Sequence, residues 1–74
     1  MFDKILKIME EQLGIDVAGI TEETTFREDL RIDSLDLYEL VTALEDEYGI
    51  EIPDDVAENF TKVSDIVKYV EANK

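Results

Sequence analysis

The hydroxyl of Ser34, in the run Asp33-Ser34-Leu35, is the group whose chemistry has to be accounted for first. It stands between a long polar stretch and an acidic, amphipathic helical pattern. The chain has no histidine and no cysteine, so Ser34 has no imidazole to activate it as in a Ser-His-Asp arrangement. A serine–lysine pair needs a desolvated lysine, and the lysines fall in the outer helical segments or beside Thr61. These residue types suit a hydroxyl that receives a group better than one that attacks a substrate. A helix start also offers unpaired N–H groups and the positive end of the helix dipole, worth about 0.3–1 kcal/mol to an adjacent anion such as a phosphodiester. Asp33 and Asp36 oppose that attraction. Serine is equally at home as an ordinary residue at a helix start, and position alone leaves both readings open.

Carboxylates are the other abundant reactive groups. Acid–base work by a carboxylate pair needs one member in an apolar pocket with a raised pKa, and no position in the sequence marks one. Asp29, Asp33 and Asp36 crowd together, but a calcium loop started at Asp29 places Arg31 at its third position, Ser34 at its sixth and Leu40 at its twelfth. Those positions require an oxygen ligand, glycine and glutamate, so the pattern fails. No dedicated metal site is expected, although crowded carboxylates attract loosely held divalent cations.

The elements that position these groups follow from apolar spacing. Phe2, Ile5, Met9 and Leu13, widened by Leu6 and Ile8, give a first helix ending at Gly14. Residues 15–33 show no sustained period and read as a long loop, pinned by Ile15, Val17, Ile20, Phe26 and Leu30. Thr25-Phe26-Arg27-Glu28 has capping-box spacing and predicts a single helical turn within the loop. Asp33 is the expected N-cap of a second helix starting at Ser34, with Asp36 answering it as in a capping box. Its buried stripe is Leu37, Leu40, Val41, Leu44 and Tyr48, and Gly49 closes it. Ile50-Glu51-Ile52 is too short for a paired strand. Asp54 or Asp55 is expected to cap a short helix through Val56, Ala57 and Phe60. Thr61 is expected to cap the last helix, with Val63, Ile66, Val67 and Val70 inward. The fold expected is all-α: a small four-helix bundle of three longer helices and one short, with a long loop between the first and second helices.

Composition narrows the function classes. Seventy-four residues fit a single domain, 1–74, with a modest core and little scaffold for a substrate pocket, so an enzyme is not expected. There is no cysteine for disulfides or thiolate metal sites, no apolar run long enough to span a membrane, and no visible secretory signal. A cytoplasmic location is expected. Twenty acidic residues against seven basic give a net charge of −13, and no Lys or Arg occurs between Ile32 and Thr61. Nucleic acid and anionic lipid headgroups are repelled by such a surface, whereas a basic protein patch is attracted and steered onto it. The 45% apolar content argues against disorder.

The run Asp29-Leu30-Arg31-Ile32-Asp33-Ser34-Leu35-Asp36, followed by Glu39-Leu40-Val41, Ala43-Leu44-Glu45 and the later Ile50-Glu51-Ile52-Pro53-Asp54, resembles the phosphopantetheine-attachment region of acyl carrier proteins. The resemblance covers essentially the whole chain. It implies that a phosphopantetheinyl transferase attaches 4′-phosphopantetheine to Ser34, flanked by Asp33 and Leu35, and that the terminal thiol carries acyl groups as thioesters between enzymes of fatty acid or related acyl or polyketide synthesis. It further implies that Leu35, Asp36, Glu39, Thr42, Glu45 and Glu47 meet basic docking patches on acyl-transfer and synthase enzymes, the carrier itself being a monomer. An aminoacyl or aryl carrier, or an acidic interaction module without an arm, are the alternatives. Two departures stand out. Arg31 occupies a position where that family usually has glycine, and Leu37-Tyr38 is bulkier than the common pair. Arg31 either pairs internally with Asp29 or Glu28 or narrows the set of partners, and Tyr38 reshapes any cleft that shelters an acyl chain.

Overall fold

A computed structural model describes residues 2–73; Met1 and Lys74, the ends of the expected 1–74 domain, lie outside the described residues. Four helices follow one another: α1 (Phe2–Leu13), α2 (Ser34–Tyr48), α3 (Asp54–Glu58) and α4 (Val63–Asn73). The apolar stripes do what their spacing requires. Ile5, Ile8 and Met9 of α1, Leu37, Leu40, Val41 and Leu44 of α2, and Val63, Ile66, Val67 and Val70 of α4 meet in one core. Tyr48 is only half-buried, and its hydroxyl, though shielded, has no hydrogen-bond partner. Gly14 and Gly49 end α1 and α2 with φ of 65° each, and the Gly49 N–H donates to the Glu45 carbonyl at 2.8 Å. A left-handed closing residue of this kind satisfies a carbonyl that the helix end would leave unpaired.

Residues 14–33 cross the bundle without a helix, but they are tied down. Phe26 is essentially fully buried, and its N–H donates to the Thr61 carbonyl at 3.0 Å. Val63 and Ser64, at the start of α4, donate to the carbonyls of Thr24 and Glu22 at 3.0 and 2.9 Å. Thr25 and Lys62 form an isolated antiparallel bridge, and Lys62 Nζ lies 3.3 Å from a Glu23 carboxylate oxygen. The loop therefore supplies the acceptors that α4 lacks at its N-terminus.

Three capping expectations are corrected. The turn at Thr25 is not a helix, and its partner is Asp29 in place of Glu28: the Asp29 carboxylate accepts from the Thr25 N–H and hydroxyl at 2.9 and 3.1 Å, while the Asp29 N–H donates to Thr25 Oγ1 at 3.1 Å. Thr61 does not cap α4, because its hydroxyl donates to the Asn59 carbonyl. The helix start is braced instead by Asp65, in its first turn, whose carboxylate reaches back to accept from the N–H groups of Thr61 and Lys62 just ahead of α4 at 2.9 and 3.0 Å. Burial opposes ionisation of Asp65, but these two bonds and the charges of Lys62 and Lys68 outweigh it and hold its pKa below the ordinary carboxylate value. Pro53 precedes α3, and neither Asp54 nor Asp55 caps it; both sit inside its first turn.

Candidate functional site

Ser34 is the first residue of α2 and is exposed. The other serine, Ser64, is buried in the opening turn of α4. Asp33 is the N-cap as expected: its Oδ1 accepts the Asp36 N–H at 3.0 Å, and its carbonyl accepts the Leu37 N–H at 3.0 Å. The return bond of a capping box, from the Asp33 N–H to the Asp36 carboxylate, is not made, the aspartate being one methylene shorter than the usual glutamate. The N–H groups of Ser34 and Leu35 and the Ser34 hydroxyl bond to nothing among the described residues. An exposed hydroxyl beside two unpaired N–H donors at the positive end of a fifteen-residue helix is a suitable mount for a phosphodiester.

The loop fixes the position of Ser34. Ile32, two residues before Ser34, is buried, and its N–H donates to the Phe26 carbonyl at 3.0 Å. Between the two anchored residues Leu30 and Ile32, Arg31 adopts a φ of 56°, alone among the described non-glycine residues in having a positive φ. A side chain held in the left-handed region costs roughly 1–2 kcal/mol relative to its favoured conformations. Arg31 is exposed and has no ion pair or hydrogen bond among the described residues, so the internal pairing with Asp29 or Glu28 is not formed.

The sequence-predicted partner residues divide into two groups. Leu35, Glu39 and Thr42 share one exposed face of α2 with Asp46, and together with Gln12, Tyr38 and Ala43 they line an open groove of about 500 Å³. Leu35 is 74% exposed, the one large apolar side chain displayed to solvent among the described residues. Asp36 is half-buried beside this face. Glu45 and Glu47 are engaged with the rest of the fold. The Glu45 carboxylate accepts the Ile52 N–H at 2.7 Å, which holds the turn after α2. Glu47 lies 3.3 Å from Lys4 Nζ, and the same ammonium sits 5.5 Å from the centre of the Tyr48 ring. Sequence reasoning passed over Asp46 and Gln12. Asp46 was within reach, since 35, 39, 42 and 46 repeat at helical spacing; Gln12 joins the groove only because α1 packs against α2.

Tyr38 is half-buried on the flank of α2 towards α3. Desolvation raises the pKa of its phenol, and the nearby charges of Glu58 and Asp54 raise it further, so it remains a neutral hydroxyl. Among the described residues no three Asp or Glu side chains converge as a metal site, and no helix is long and apolar enough to cross a membrane.

The chain matches the family described as "Phosphopantetheine attachment site" over residues 3–70, and it belongs to that family. Within it the chain stands with the acyl carrier proteins. It is 49% identical to the acyl carrier protein of Helicobacter pylori (strain G27) over 74 residues, which is all of this chain and 95% of the relative. Identity to the acyl carrier protein of Helicobacter acinonychis (strain Sheeba) is 50% over 74 residues, with the same coverage. A solved structure from Mycobacterium tuberculosis, described there as a candidate acyl carrier protein, superposes with a TM-score of 0.88 at 35% identity, covering 96% of this chain and 95% of that one. The role is that of a carrier with 4′-phosphopantetheine as its prosthetic group, not that of a catalyst, and it entails dealings with a phosphopantetheinyl transferase and with acyl-transfer and synthase enzymes.

Proposed function

We propose that the whole chain works as one acyl-carrier domain. Its arm is joined to Ser34 Oγ, and the cargo is an acyl intermediate of fatty acid synthesis. The observation that carries the site is the contrast between the two serines: Ser34 is exposed at a helix start, Ser64 is buried. No side chain among the described residues accepts a hydrogen bond from the Ser34 hydroxyl, so the base that removes its proton is assigned to the transferase. The bound arm supplies a thiol for thioester chemistry. The protein's own residues hold the base of the arm still, through the Asp33 cap and the Ile32 anchor, and present it beside an acidic face.

Leu35, Asp36, Glu39, Thr42 and Asp46 form that docking face. An exposed leucine at its head and carboxylates along it suit a basic patch with an apolar socket, in which charge speeds encounter and the leucine fixes register. Glu45 and Glu47 serve mainly to hold the fold. A net charge of −13 and the scarcity of exposed apolar surface among the described residues favour a monomer, and the likeness to acyl carrier proteins favours the cytoplasm. After incubation with coenzyme A and a transferase, fragmentation mass spectrometry should place one phosphopantetheine on the peptide spanning Asp33 to Leu35. Modification on any other residue would reject the assignment.

A further inference from the structure

Arg31 is the residue that neither packing nor folding explains. Its φ of 56° is one that glycine adopts freely and arginine does not, yet its side chain makes no ion pair or hydrogen bond among the described residues. The carboxylate next in line, Asp29, is engaged with Thr25. The corner itself is firm. Leu30 N–H is bonded to the Thr25 carbonyl at 3.2 Å and Ile32 N–H to the Phe26 carbonyl at 3.0 Å, so the exposed guanidinium departs from a fixed backbone. A strained conformation retained at a solvent-facing charge calls for a role outside the fold.

Its place in the charge pattern says what kind. Arg31 is the last base before a stretch without Lys or Arg that runs to Thr61, and it lies three residues ahead of Ser34. The docking face is therefore acidic along α2 and positive at the end nearest the arm. A partner patch that is basic throughout gains along α2 and is repelled at this corner. A patch with one carboxylate at the matching rim gains at both. Guanidinium also pairs with a carboxylate through two parallel N–H bonds, which fixes orientation as well as sign.

We infer that Arg31 is a specificity-determining residue: the enzymes that work on this carrier present a carboxylate, at the edge of an otherwise basic patch, to its guanidinium. This rests on the reading of Ser34 and the α2 face given above. Such a corner admits enzymes built with that acid and slows those without it.

Three variants separate charge from backbone. Arg31→Lys keeps the charge and the unfavourable φ, Arg31→Gln keeps only the unfavourable φ, and Arg31→Gly removes both. Each is loaded with the arm, checked by intact mass, and assayed for acyl transfer with synthases from its own cell and with a synthase whose docking patch is basic throughout. With its own enzymes, Arg31→Gln and Arg31→Gly should lose about three- to fivefold in kcat/KM at low salt, carried by KM, and the loss should fade at high salt. Arg31→Lys should stay within about twofold of wild type. With the all-basic synthase, Arg31→Gln should be faster than wild type. Equal rates for wild type, Arg31→Lys and Arg31→Gln on the cell's own enzymes would overturn the inference, as would a change in Arg31→Gly alone, which marks a backbone effect. A wild type that takes up no arm would remove the Ser34 reading and this inference with it; a loaded wild type with no difference between glutamine and lysine removes this inference alone.

Discussion

The carboxylates of α2 form two sets that are used in opposite ways. Glu39 and Asp46 stand free on the exposed face, with Asp36 half-buried beside it. Glu45 and Glu47, on either side of Asp46 in the sequence, turn to the rest of the fold: Glu45 closes the turn by accepting the Ile52 N–H, and Glu47 pairs with Lys4 beside Tyr48. Acidity on a helix is thus not one property. On the proposed reading, carboxylates without internal partners shape encounters with other proteins, while those bonded inward set stability, and a surface charge count does not tell them apart.

Substitutions in each set test this division. Ser34→Ala should show the largest effect, a complete loss of arm loading with an unchanged melting profile, because the hydroxyl makes no internal bond. Intact mass and thermal melting read the two halves of that statement. Glu45→Ala should cost about 2 kcal/mol, the value of a charge-assisted bond to a backbone N–H. In a chain this small that lowers Tm by roughly 10 °C. Once the variant is folded and loaded, its transfer rates should match wild type. Glu39→Lys should do the reverse: no loss of Tm, but about three- to tenfold slower association with basic partners at low salt, vanishing at high salt. If Glu45→Ala slows transfer while leaving Tm alone, the division of α2 is wrong.

Smaller effects sharpen the inward half. Asp65 has a folded pKa below its unfolded value of 3.8. Its contribution is therefore fully present above about pH 5 and is lost as pH falls through the lower folded value. Asp65→Asn should cost about 0.5–1 kcal/mol at pH 7, and the gap from wild type in denaturant melts should narrow below about pH 4 and close only below the folded pKa. Tyr48→Phe should be neutral or stabilising by up to about 1 kcal/mol, since it removes a buried hydroxyl without a partner.

Periodicity made the helices legible: the stripes of α1, α2 and α4 are local properties of the chain, as is the Asp33 cap one residue before its helix. The roles of individual carboxylates were not legible, because they depend on what lies across the fold. Asp29 in place of Glu28 answers Thr25, Asp65 in place of Thr61 braces the start of α4, and Glu45 reaches a turn seven residues on. Arg31 was half legible. A position where resembling proteins carry glycine advertises a left-handed backbone, but an arginine side chain carries no signal of a positive φ.

The ties between the crossing loop and the start of α4 have a consequence for when the protein becomes usable. Ile32 anchors to Phe26, and Phe26 to Thr61, while Glu22 and Thr24 hold Ser64 and Val63. The proposed mount for the arm is therefore assembled from residues made early and residues made later. During synthesis the chain emerges from its N-terminus, so Ser34 is in solution before the segment that orders its surroundings. On this hypothesis the transferase acts only on chains in which α4 has docked, and the arm doubles as a mark of a folded domain. A chain ending at residue 60 should remain unmodified under conditions that load the full protein, and loading of that fragment would show the mount to be independent of α4.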